Sequence, residues 1–345
     1  MLRRLLGATA AILLAASLGT PRASAEGELN FYTWADYTSP ELIEKFEAET
    51  GITVNIDTFA SNEDLLAKMM AGATGYDIIV PGDYLVEILI KEDLLQRVEP
   101  NQLANFKNVE PRWIDVYWDP GRNYSIPWMW GTTSFNVNTD VFDGDIHTLA
   151  VLFDPPDVLK GRINMFQDSV EVINMALRYL GFPRCNSNPD EMRQVQDLLL
   201  RQKEWVRSYS MDPKELIVSG EVDATMNWDG YAIRTRAEKP SVAFAHPMEG
   251  YTGWMDNLAV PKGAENVENA MIFMDFMMVP ENIALESNYV GVNGGIMGAA
   301  QYFDPELATA PELNAPQGTP DPEFVPACED DVVRLYDQVW TNVMK

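Results

Sequence analysis

A short stretch near the start of the chain, FYTWADYTSP at residues 31–40, combines side chains that could hold an organic cation. Trp34 and Tyr37 flank Asp36, directly after an apolar run that is typical of a β-strand. Aromatic faces attract ammonium groups, and a carboxylate adds an opposite charge. The stretch therefore predicts one wall of a cation-binding site at the end of the first strand.

The same pairing of aromatic and acidic residues recurs at other predicted strand ends. The positions are Gly82, Asp83 and Tyr84 after YDIIVP, Gln167, Asp168 and Glu171 after GRINMF, Trp228 and Asp229 at the end of DATMNW, and Trp254 and Asp256 in the stretch YTGWMD, just before a strand. Lys and Arg are absent from these places. Ligands of open α/β sheets bind beyond the carboxyl ends of the strands, so we expect these side chains to share a cleft. Unpaired carboxylates in a cleft are costly unless a cation arrives.

Each of these residues also has a structural interpretation. Asp168 and Glu171 have the spacing of an N-cap and the third residue of a helix, and Asp229 could be a second N-cap. The tryptophans could pack in a core, and the tyrosines could pack against loops. A pair of carboxyl groups could also be the acid and base of a hydrolase, although Asp168 and Glu171 are too close in sequence for opposed roles.

Motifs of metal-dependent or nucleophilic enzymes are not found. The two histidines, His147 and His246, lie far apart and do not have metal-ligand spacing. The chain contains no H-E-x-x-H, C-x-x-C, P-loop or G-x-S-x-G pattern. We therefore expect a binding protein rather than an enzyme, with no cofactor and no metal site.

The elements that position these residues alternate between strand and helix. ELNFYTW, ITVNIDTF and YDIIVP are predicted strands, and a helix follows each of them. Ser39 and Ser61 are placed as N-caps, and Gly51 ends the first helix. This order predicts an α/β fold, with a mostly parallel sheet flanked by helices.

The second part of the chain continues in the same style. GRINMF, DATMNW, VAFAHP and DNLAVP are predicted strands, a helix is predicted from about Asp190 to Arg207, and DDVVRLYDQVWTNVMK is predicted to be the last helix. The extended segment YSIPWMWGTTSFNVN is predicted to cross between two domains, because 345 residues exceed the usual size of one small core.

The N-terminus predicts export. Arg3 and Arg4 precede an apolar stretch at residues 5–18, and Ala23-Ser24-Ala25 forms an A-x-A cleavage signal. We expect cleavage after Ala25 and release of a free protein, because no Cys for lipid attachment follows. No other segment is long and apolar enough for a membrane span. The net charge of −27 argues against binding to nucleic acid.

The two cysteines, Cys185 and Cys328, are predicted not to be bonded. Cys185 lies past the far end of the helix that begins near Asp168, roughly 15 Å away at 1.5 Å per residue. Cys328 is placed near the cleft. A disulfide needs Cα atoms within about 7 Å of each other.

Across nearly all of the chain after the signal peptide, the sequence resembles the periplasmic spermidine/putrescine-binding proteins of ABC uptake systems. The resemblance is carried by TWADY, ETGITV, SNEDLLAKMMAG, YDIIVPGDY, YSIPWMWGTT, QDSVEVINMALRYLG, MNWDG and WMDNLAVP. It implies a two-lobed, type II-like periplasmic-binding-protein fold with a ligand cleft between the lobes. The expected lobes are 26–134 with 256–300, and 135–255 with 301–345.

The resemblance also implies roles for individual residues. Trp34, Trp228 and Trp254 match the aromatic residues that sandwich polyamine methylenes, and Tyr37 and Tyr84 match further aromatic walls. Asp168, Glu171 and Asp256 match the acidic residues that receive ammonium groups. Asp36 matches an acidic position of the putrescine-preferring branch. The sequence departs from the family pattern at four positions. Ala35 and Gly82 replace hydroxyl residues, and Glu329 replaces a Gln of the spermidine binder. Tyr289 matches a pocket Tyr of the family only after a one-residue shift. An inward-pointing Glu329 would favour a longer or more highly charged cation.

The implied function is capture of a polyamine of the putrescine/spermidine class in the periplasm and its delivery to an ABC permease by lobe closure. A monomer is expected. Three alternatives stay open: a binding protein of the same fold for another organic cation, an amino-acid derivative or a sugar; a hydrolase; and a sensor subunit that presents its ligand to a receptor.

Overall fold

The computed structural model describes residues 27–72 and 75–345. The predicted signal peptide, residues 1–25, lies outside the described residues. Within them, the helices are too short or too polar to traverse a lipid bilayer.

The strands form one large mixed sheet and one small hairpin. Their bounds are β1 Gly27–Trp34, β2 Ile52–Phe59, β3 Ile78–Ile79, β4 Asp115–Val116, β5 Asp119–Pro120, β6 Ser125–Asn138, β7 Ile163–Met165, β8 Val206–Tyr209, β9 Ala224–Trp228, β10 Val242–Phe244 and β11 Thr252–Ala259. The large sheet has the order β2-β1-β3-β11-β6-β9-β7-β8, with β10 also paired to β6. Its two ends are parallel, whereas β6 is antiparallel to β9, β10 and β11.

Helices cover the sheet. Their bounds are α1 Pro40–Thr50, α2 Asn62–Met70, α3 Asp83–Lys91, α4 Ala150–Phe153, α5 Ser169–Tyr179, α6 Pro189–Lys203, α7 Pro213–Val218, α8 Asp229–Glu238, α9 Val267–Met277, α10 Pro280–Val290, α11 Pro305–Ala308 and α12 Asp330–Met344. The predicted caps are confirmed. Ser39 Oγ accepts from Leu42 N and Ser61 Oγ from Asp64 N, and Gly51 ends α1 with a φ of 77°. A left-handed φ favours glycine, so a short sequence signal is enough to stop the helix there.

The apolar side chains form two hydrophobic cores. The first core draws its buried residues from 29–129 and 255–299, and the second core from 135–245 and 332–343. Strand β6 runs through both, since Ile126 and Trp128 belong to the first core and Phe135 and Val137 to the second. The α/β fold with two lobes is thus confirmed, and so is the crossing predicted for YSIPWMWGTTSFNVN.

Two further connections accompany β6 between the cores, and the first of them leads from Ala245 of the second core into β11 and Met255 of the first. Chain near residue 323 runs beside β11, where Gly253 N donates to Glu323 O and Glu323 N donates to Tyr251 O. Phe324 then packs against the first core, and the chain continues into α12, which belongs to the second. The connections between the cores are therefore adjacent, as a hinge requires.

Two element predictions are wrong in detail. The helix expected to reach Arg207 ends at Lys203, and the next residues form β8, which pairs with β7. Strand β11 begins at Thr252, so Trp254 and Asp256 lie inside a strand rather than before one. In both cases the neighbouring strand supplies hydrogen bonds that local sequence does not reveal.

The prediction that the cysteines are not bonded is also wrong. Cys185 and Cys328 form a disulfide, with their Cα atoms 5.1 Å apart. The distance argument followed the axis of α5 only. Beyond that helix, Gly181 has a φ of 74° and the chain turns back, so Cys185 lies against the second core beside the start of α12.

Candidate functional site

The candidate residues lie at the ends of elements from both cores. Trp34 ends β1, Tyr84 lies in the first turn of α3, Asp168 caps α5 with Glu171 in its first turn, Trp228 ends β9, Asp229 begins α8, and Trp254 and Asp256 lie in β11. Burial is the main cause of the raised pKa of Tyr84, and the charge of Asp168 raises it further. Burial is also the main cause of the raised pKa of Glu171, and the charge of Asp83 is among the smaller causes. Asp83 and Tyr84 therefore lie near Asp168 and Glu171, at the boundary between the two cores.

On the side of the first core, Asp256 and Tyr37 are buried together. Asp256 is 9% exposed, and its backbone forms an isolated antiparallel β-bridge with Gly82. Burial raises the pKa of Asp256 to about 7, and burial with the charge of Asp256 raises the pKa of Tyr37. Tyr37 Oη finds no hydrogen-bond partner among the described residues. An ammonium group that arrives here would add a charge-assisted hydrogen bond to this carboxylate.

Trp34 is held in a defined orientation at the same end of the cleft. Its Nε1 donates to the carbonyl of Val80 at 3.0 Å, and its ring lies 4.5 Å from that of Phe59. The side chain is half-buried, so part of the indole remains open to the cleft. A fixed aromatic face loses little rotamer entropy when a ligand binds.

The turn before α3 contributes a carboxylate and a phenol. Asp83 Oδ1 accepts from Tyr84 N at 2.8 Å, and Tyr84 Oη donates to Glu63 at 3.1 Å. Burial raises the pKa of Asp83 to about 7. Gly82 N donates to Asn62 Oδ1, and a Cβ on Gly82 would come within 2.9 Å of the Asn62 amide nitrogen. Asn62 therefore occupies the space beside Gly82.

Across the cleft, Asp168 and Glu171 start α5. Asp168 Oδ1 accepts from Val170 N at 2.9 Å and Glu171 N at 3.0 Å, so the capping interpretation is confirmed for Asp168. Part of the Asp168 side chain is exposed, but the surrounding residues exclude water from its carboxylate, and this desolvation raises the pKa of Asp168. Burial, followed by the charge of Asp168, raises the pKa of Glu171 to about 7. Capping occupies one oxygen of Asp168 and leaves the other free to meet a ligand.

Asp229 and two tryptophans form the third part of the cleft. Asp229 Oδ2 accepts from the backbone nitrogen of Thr132 at 2.8 Å and from its hydroxyl at 3.1 Å, and burial raises the pKa of Asp229 to about 7. Trp228 packs against Phe166, with ring centroids 4.5 Å apart. Trp254 Nε1 is buried without a hydrogen-bond partner among the described residues. The N–H of Trp254 is thus available to a ligand.

Three predicted residues are not brought into this group. Asp36 is exposed after β1, with a left-handed φ of 52°. Glu329 is exposed at the N-terminus of α12, where its side chain makes no capping bond. Tyr289 is 45% exposed and lines a surface pocket with Tyr302 near the start of α1. The contacts of the described residues do not connect these three side chains to the carboxylates of the cleft.

Two further acidic residues belong with this group. Asp83 was found at the end of the third strand beside Tyr84 by the strand-end rule but was not assigned to the ligand-binding set. Glu286 on α10 is 0% exposed, its Oε2 accepts from Ser39 N at 2.9 Å, and its Oε1 has no partner among the described residues. Burial raises the pKa of Glu286 to about 8. A Glu within an apolar helical face was the available signal.

One basic residue away from the strand ends affects the acids of this group. Arg184, on the loop after α5, lowers the pKa of Asp83, Asp168 and Glu171 against the larger effect of burial. The residue is distant from every predicted strand end, so only the folded path of the loop reveals it.

Several carboxyl groups of the cleft are buried, and their ionisation without a cationic partner is unfavourable. Their pKa values are raised mainly because water is excluded. The described residues contain no group of three or more His, Cys, Asp and Glu side chains arranged to hold a metal ion. Aromatic faces beside buried carboxylates suit an organic cation.

Comparison with known proteins agrees with this geometry. The chain is 33% identical over 314 residues to the spermidine/putrescine-binding periplasmic protein of Salmonella typhimurium, which covers 90% of this chain and 89% of that protein. It is 34% identical over 309 residues to the Escherichia coli protein of the same name, covering 89% and 87%. A putrescine-binding periplasmic protein of Pseudomonas aeruginosa is 31% identical over 334 residues, covering 91% and 90%.

The fold has a solved counterpart. A spermidine/putrescine ABC transporter substrate-binding protein from Streptococcus pneumoniae superposes with a TM-score of 0.82 at 26% identity, covering 92% of this chain and all of that one. The two-lobed periplasmic-binding-protein fold is thereby shown. Residues 41–315 match the family described as bacterial extracellular solute-binding protein. The chain is therefore a member of the bacterial extracellular solute-binding proteins, and its place of action is extracytoplasmic.

Proposed function

We propose that the protein captures a polyamine of the putrescine/spermidine class in the cleft and delivers it to an ABC permease. The observation that carries this proposal is the burial of four carboxyl groups beside open aromatic faces. The pKa is raised to about 7 for each of Asp83, Glu171, Asp229 and Asp256. The three relatives are named as binding proteins for putrescine or for spermidine and putrescine, which supports the same ligand class.

The ligand would be held by two kinds of contact. Indole faces of Trp34, Trp228 and Trp254 bury the methylenes and attract the charges, each contact contributing about 0.5–2 kcal/mol. Carboxylates at separate positions accept charge-assisted hydrogen bonds from the ammonium groups. The distance between the occupied carboxylates then measures the length of the ligand.

Lobe closure follows from the division of these residues between the cores. Trp34 and Trp254 pack against the first core, and Trp228 packs against the second. A ligand that contacts both favours the closed state over the open one, and the permease recognises closure. The lobes are assigned to 26–134 with 256–300 and 135–255 with 301–345.

Further parts of the proposal concern the setting. The protein works in the periplasm as a monomer after cleavage behind Ala25, binds no nucleic acid, and leaves the ligand chemically unchanged. Tyr84 and Asp168 contribute to ligand choice. A same-fold binder for a different organic cation, an amino-acid derivative or a sugar is the second candidate, since aromatic walls suit sugars as well.

The test is calorimetric titration of refolded, ligand-stripped protein with putrescine, cadaverine, spermidine and spermine at low and high salt. We expect one-to-one binding that weakens with salt and is lost in Asp256→Asn and Trp254→Ala. Tyr289→Ala is the matched control, because that ring lies on the outer surface. Absence of heat with all four cations, or salt-independent binding of a neutral sugar, would contradict the proposal.

A further inference from the structure

We infer that Arg122 is a positioning residue for Asp256: its buried guanidinium fixes Asn257, the next residue of β11, and so holds the Asp256 carboxylate toward the cleft. The inference rests on the proposed function, because it assigns a support to a carboxylate that this function uses. It begins from the side chain of Arg122, which is 0% exposed although it carries a charge. An arginine is rarely buried completely unless it is paired or hydrogen-bonded, so the groups around it indicate what it holds.

The guanidinium of Arg122 has a partner at each nitrogen. Nε donates to the carbonyl of Trp113 at 2.6 Å. Nη1 donates to Asn257 Oδ1 at 2.7 Å and to Ser125 Oγ at 3.2 Å, and Nη2 lies 3.2 Å from the sulfur of Met255. A planar guanidinium with partners on three nitrogens has one defined orientation. The shortest contact that it makes with another side chain is the one to Asn257.

The positive charge of Arg122 is balanced through a hydroxyl group. Ser125 Oγ, which accepts from the guanidinium, donates to Asp119 Oδ2 at 2.9 Å, and Asp119 is buried as well. Burial lowers the pKa of Arg122 to about 9, and the charge of Asp119 opposes that effect. The guanidinium is therefore charged at neutral pH, and its hydrogen bond to the Asn257 oxygen is charge-assisted.

Asn257 transmits this restraint to the site. Its side chain is fully buried, and Oδ1 also accepts from Trp118 Nε1 at 3.1 Å, so two donors fix the orientation of the amide. Nδ2 donates to Met255 O at 2.9 Å, and the backbone nitrogen donates to Pro81 O at 2.9 Å. Pro81 lies between β3 and α3, so Asn257 joins β11 to the turn that leads to Asp83.

Asp256 lies at an irregular point of β11. It pairs with Met129 of β6, but Asn257 pairs with Pro127, so the register shifts between the two residues. Bulges of this kind redirect side chains and recur beside binding sites. Successive residues of a strand point to opposite faces, so an Asn257 side chain held in the interior keeps the Asp256 carboxylate on the cleft side. Without the guanidinium, Asn257 loses its charged donor, and the irregular segment can take other arrangements.

The experiment measures putrescine and spermidine affinities by calorimetry in the wild type, Arg122→Met, Asn257→Ala and the double variant. We expect each single substitution to lower affinity about tenfold and the double variant to lose little more, because the two residues act through one contact. Two controls are expected to keep the wild-type affinity. Phe273→Leu alters a fully buried side chain of α9 in the first core, and Arg97→Met removes an exposed arginine. Thermal melting verifies folding, and Asn257→Ala carries the test if Arg122→Met does not fold.

A second measurement tests the position of the carboxylate without a ligand. Three-bond NMR couplings report the χ1 torsion of Asp256 in the ligand-free protein. We expect one rotamer in the wild type and in Phe273→Leu, and an average over rotamers in Arg122→Met and Asn257→Ala. A role of Arg122 in stability alone would leave this torsion unchanged in the folded variants.

The outcomes separate this inference from the proposed function. Wild-type affinity in folded Arg122→Met, an equal loss in Phe273→Leu, additive losses in the double variant, or an unchanged Asp256 torsion overturns the inference and leaves polyamine binding intact. Failure of the wild type to bind either polyamine overturns the proposed function, whereas the torsion measurement still decides whether Arg122 positions Asp256.

Discussion

Asp229 and Trp254 converge over Gly131. Asp229 Oδ1 and Trp254 Cζ2 each lie 2.5 Å from the position that a Cβ would take on this glycine. Gly131 belongs to β6, the strand that links the two cores, and pairs directly with Trp254 in β11. The missing side chain on this strand is what lets a carboxylate at the start of α8 and an indole that packs against the first core approach each other.

Gly131→Ala is therefore expected to weaken ligand binding more than it weakens the fold. The new methyl group must displace Trp254 or Asp229, and overpacking of this kind costs about 1–3 kcal/mol of the free energy of unfolding. We expect at least a tenfold loss of polyamine affinity by calorimetry, together with a small loss in urea-unfolding stability. Unchanged affinity would show that neither side chain contacts the ligand.

Gly82→Ser tests whether Asn62 fills the space that a side chain at position 82 would take. A Cβ at Gly82 would lie 2.9 Å from Asn62 Nδ2, the end of a flexible side chain. We expect Gly82→Ser alone to lower affinity and Gly82→Ser with Asn62→Ala to recover it, which a double-mutant cycle would measure as coupling. Additive effects of the two substitutions would contradict direct competition for this space.

Asp256→Asn is expected to separate stability from binding. Burial of the ionised carboxyl is unfavourable, so its removal should raise the free energy of unfolding of the ligand-free protein by about 1–2 kcal/mol near pH 8. The same change should abolish polyamine binding. Glu329→Gln is the control, because its side chain is exposed and should alter neither quantity. A less stable Asp256→Asn protein would mean that the carboxylate is structurally satisfied.

The pH dependence of the ligand-free protein follows from the same burial. Burial raises the pKa of Asp83, Glu171, Asp229 and Asp256 to about 7 and that of Glu286 to about 8. The folded state holds these protons more tightly than the unfolded chain. The free energy of unfolding should therefore increase as the pH falls from about 8 and level off near the unfolded values of about 4.

Ligand affinity should change in the opposite direction over the upper part of that range. A polyammonium ligand needs ionised carboxylates, so binding near pH 7 should release protons and should weaken as the pH falls toward 5. Calorimetry in buffers of different ionisation enthalpy measures the released protons. Stability that is higher at pH 8 than at pH 6, or binding without proton release, would contradict this account.

The disulfide is expected to be complete in exported protein and to contribute to stability. It closes a loop between residues 143 positions apart, so the double variant Cys185→Ser/Cys328→Ser should lose about 2–5 kcal/mol of the free energy of unfolding. Mass spectrometry after thiol blocking, without reductant, should find no modified cysteine. Two blocked thiols in the native protein would contradict the pairing.

Local signals were sufficient for much of the fold. Ser39 and Gly51 mark the two ends of α1, and the apolar run around Phe31 marks β1, because caps and buried strands depend on neighbouring residues. The aromatic and acidic residues after the strands, Asp83 included, were found by one topological rule, but Asp83 was not assigned a ligand-binding role. The first residues of strand β8 were predicted to be helical, because only pairing with β7 makes this segment a strand.

The sequence by itself determined the α/β order, the export signal as an expectation, and the recurrence of Trp and Asp at strand ends. The tertiary structure alone decided which of these residues meet. The turn after Gly181 returns the chain, bonds Cys185 to Cys328 and brings the charge of Arg184 within range of Glu171. The physical reason is range: caps and periodicity act over a few residues, whereas burial, charge and disulfide pairing depend on which distant segments pack together.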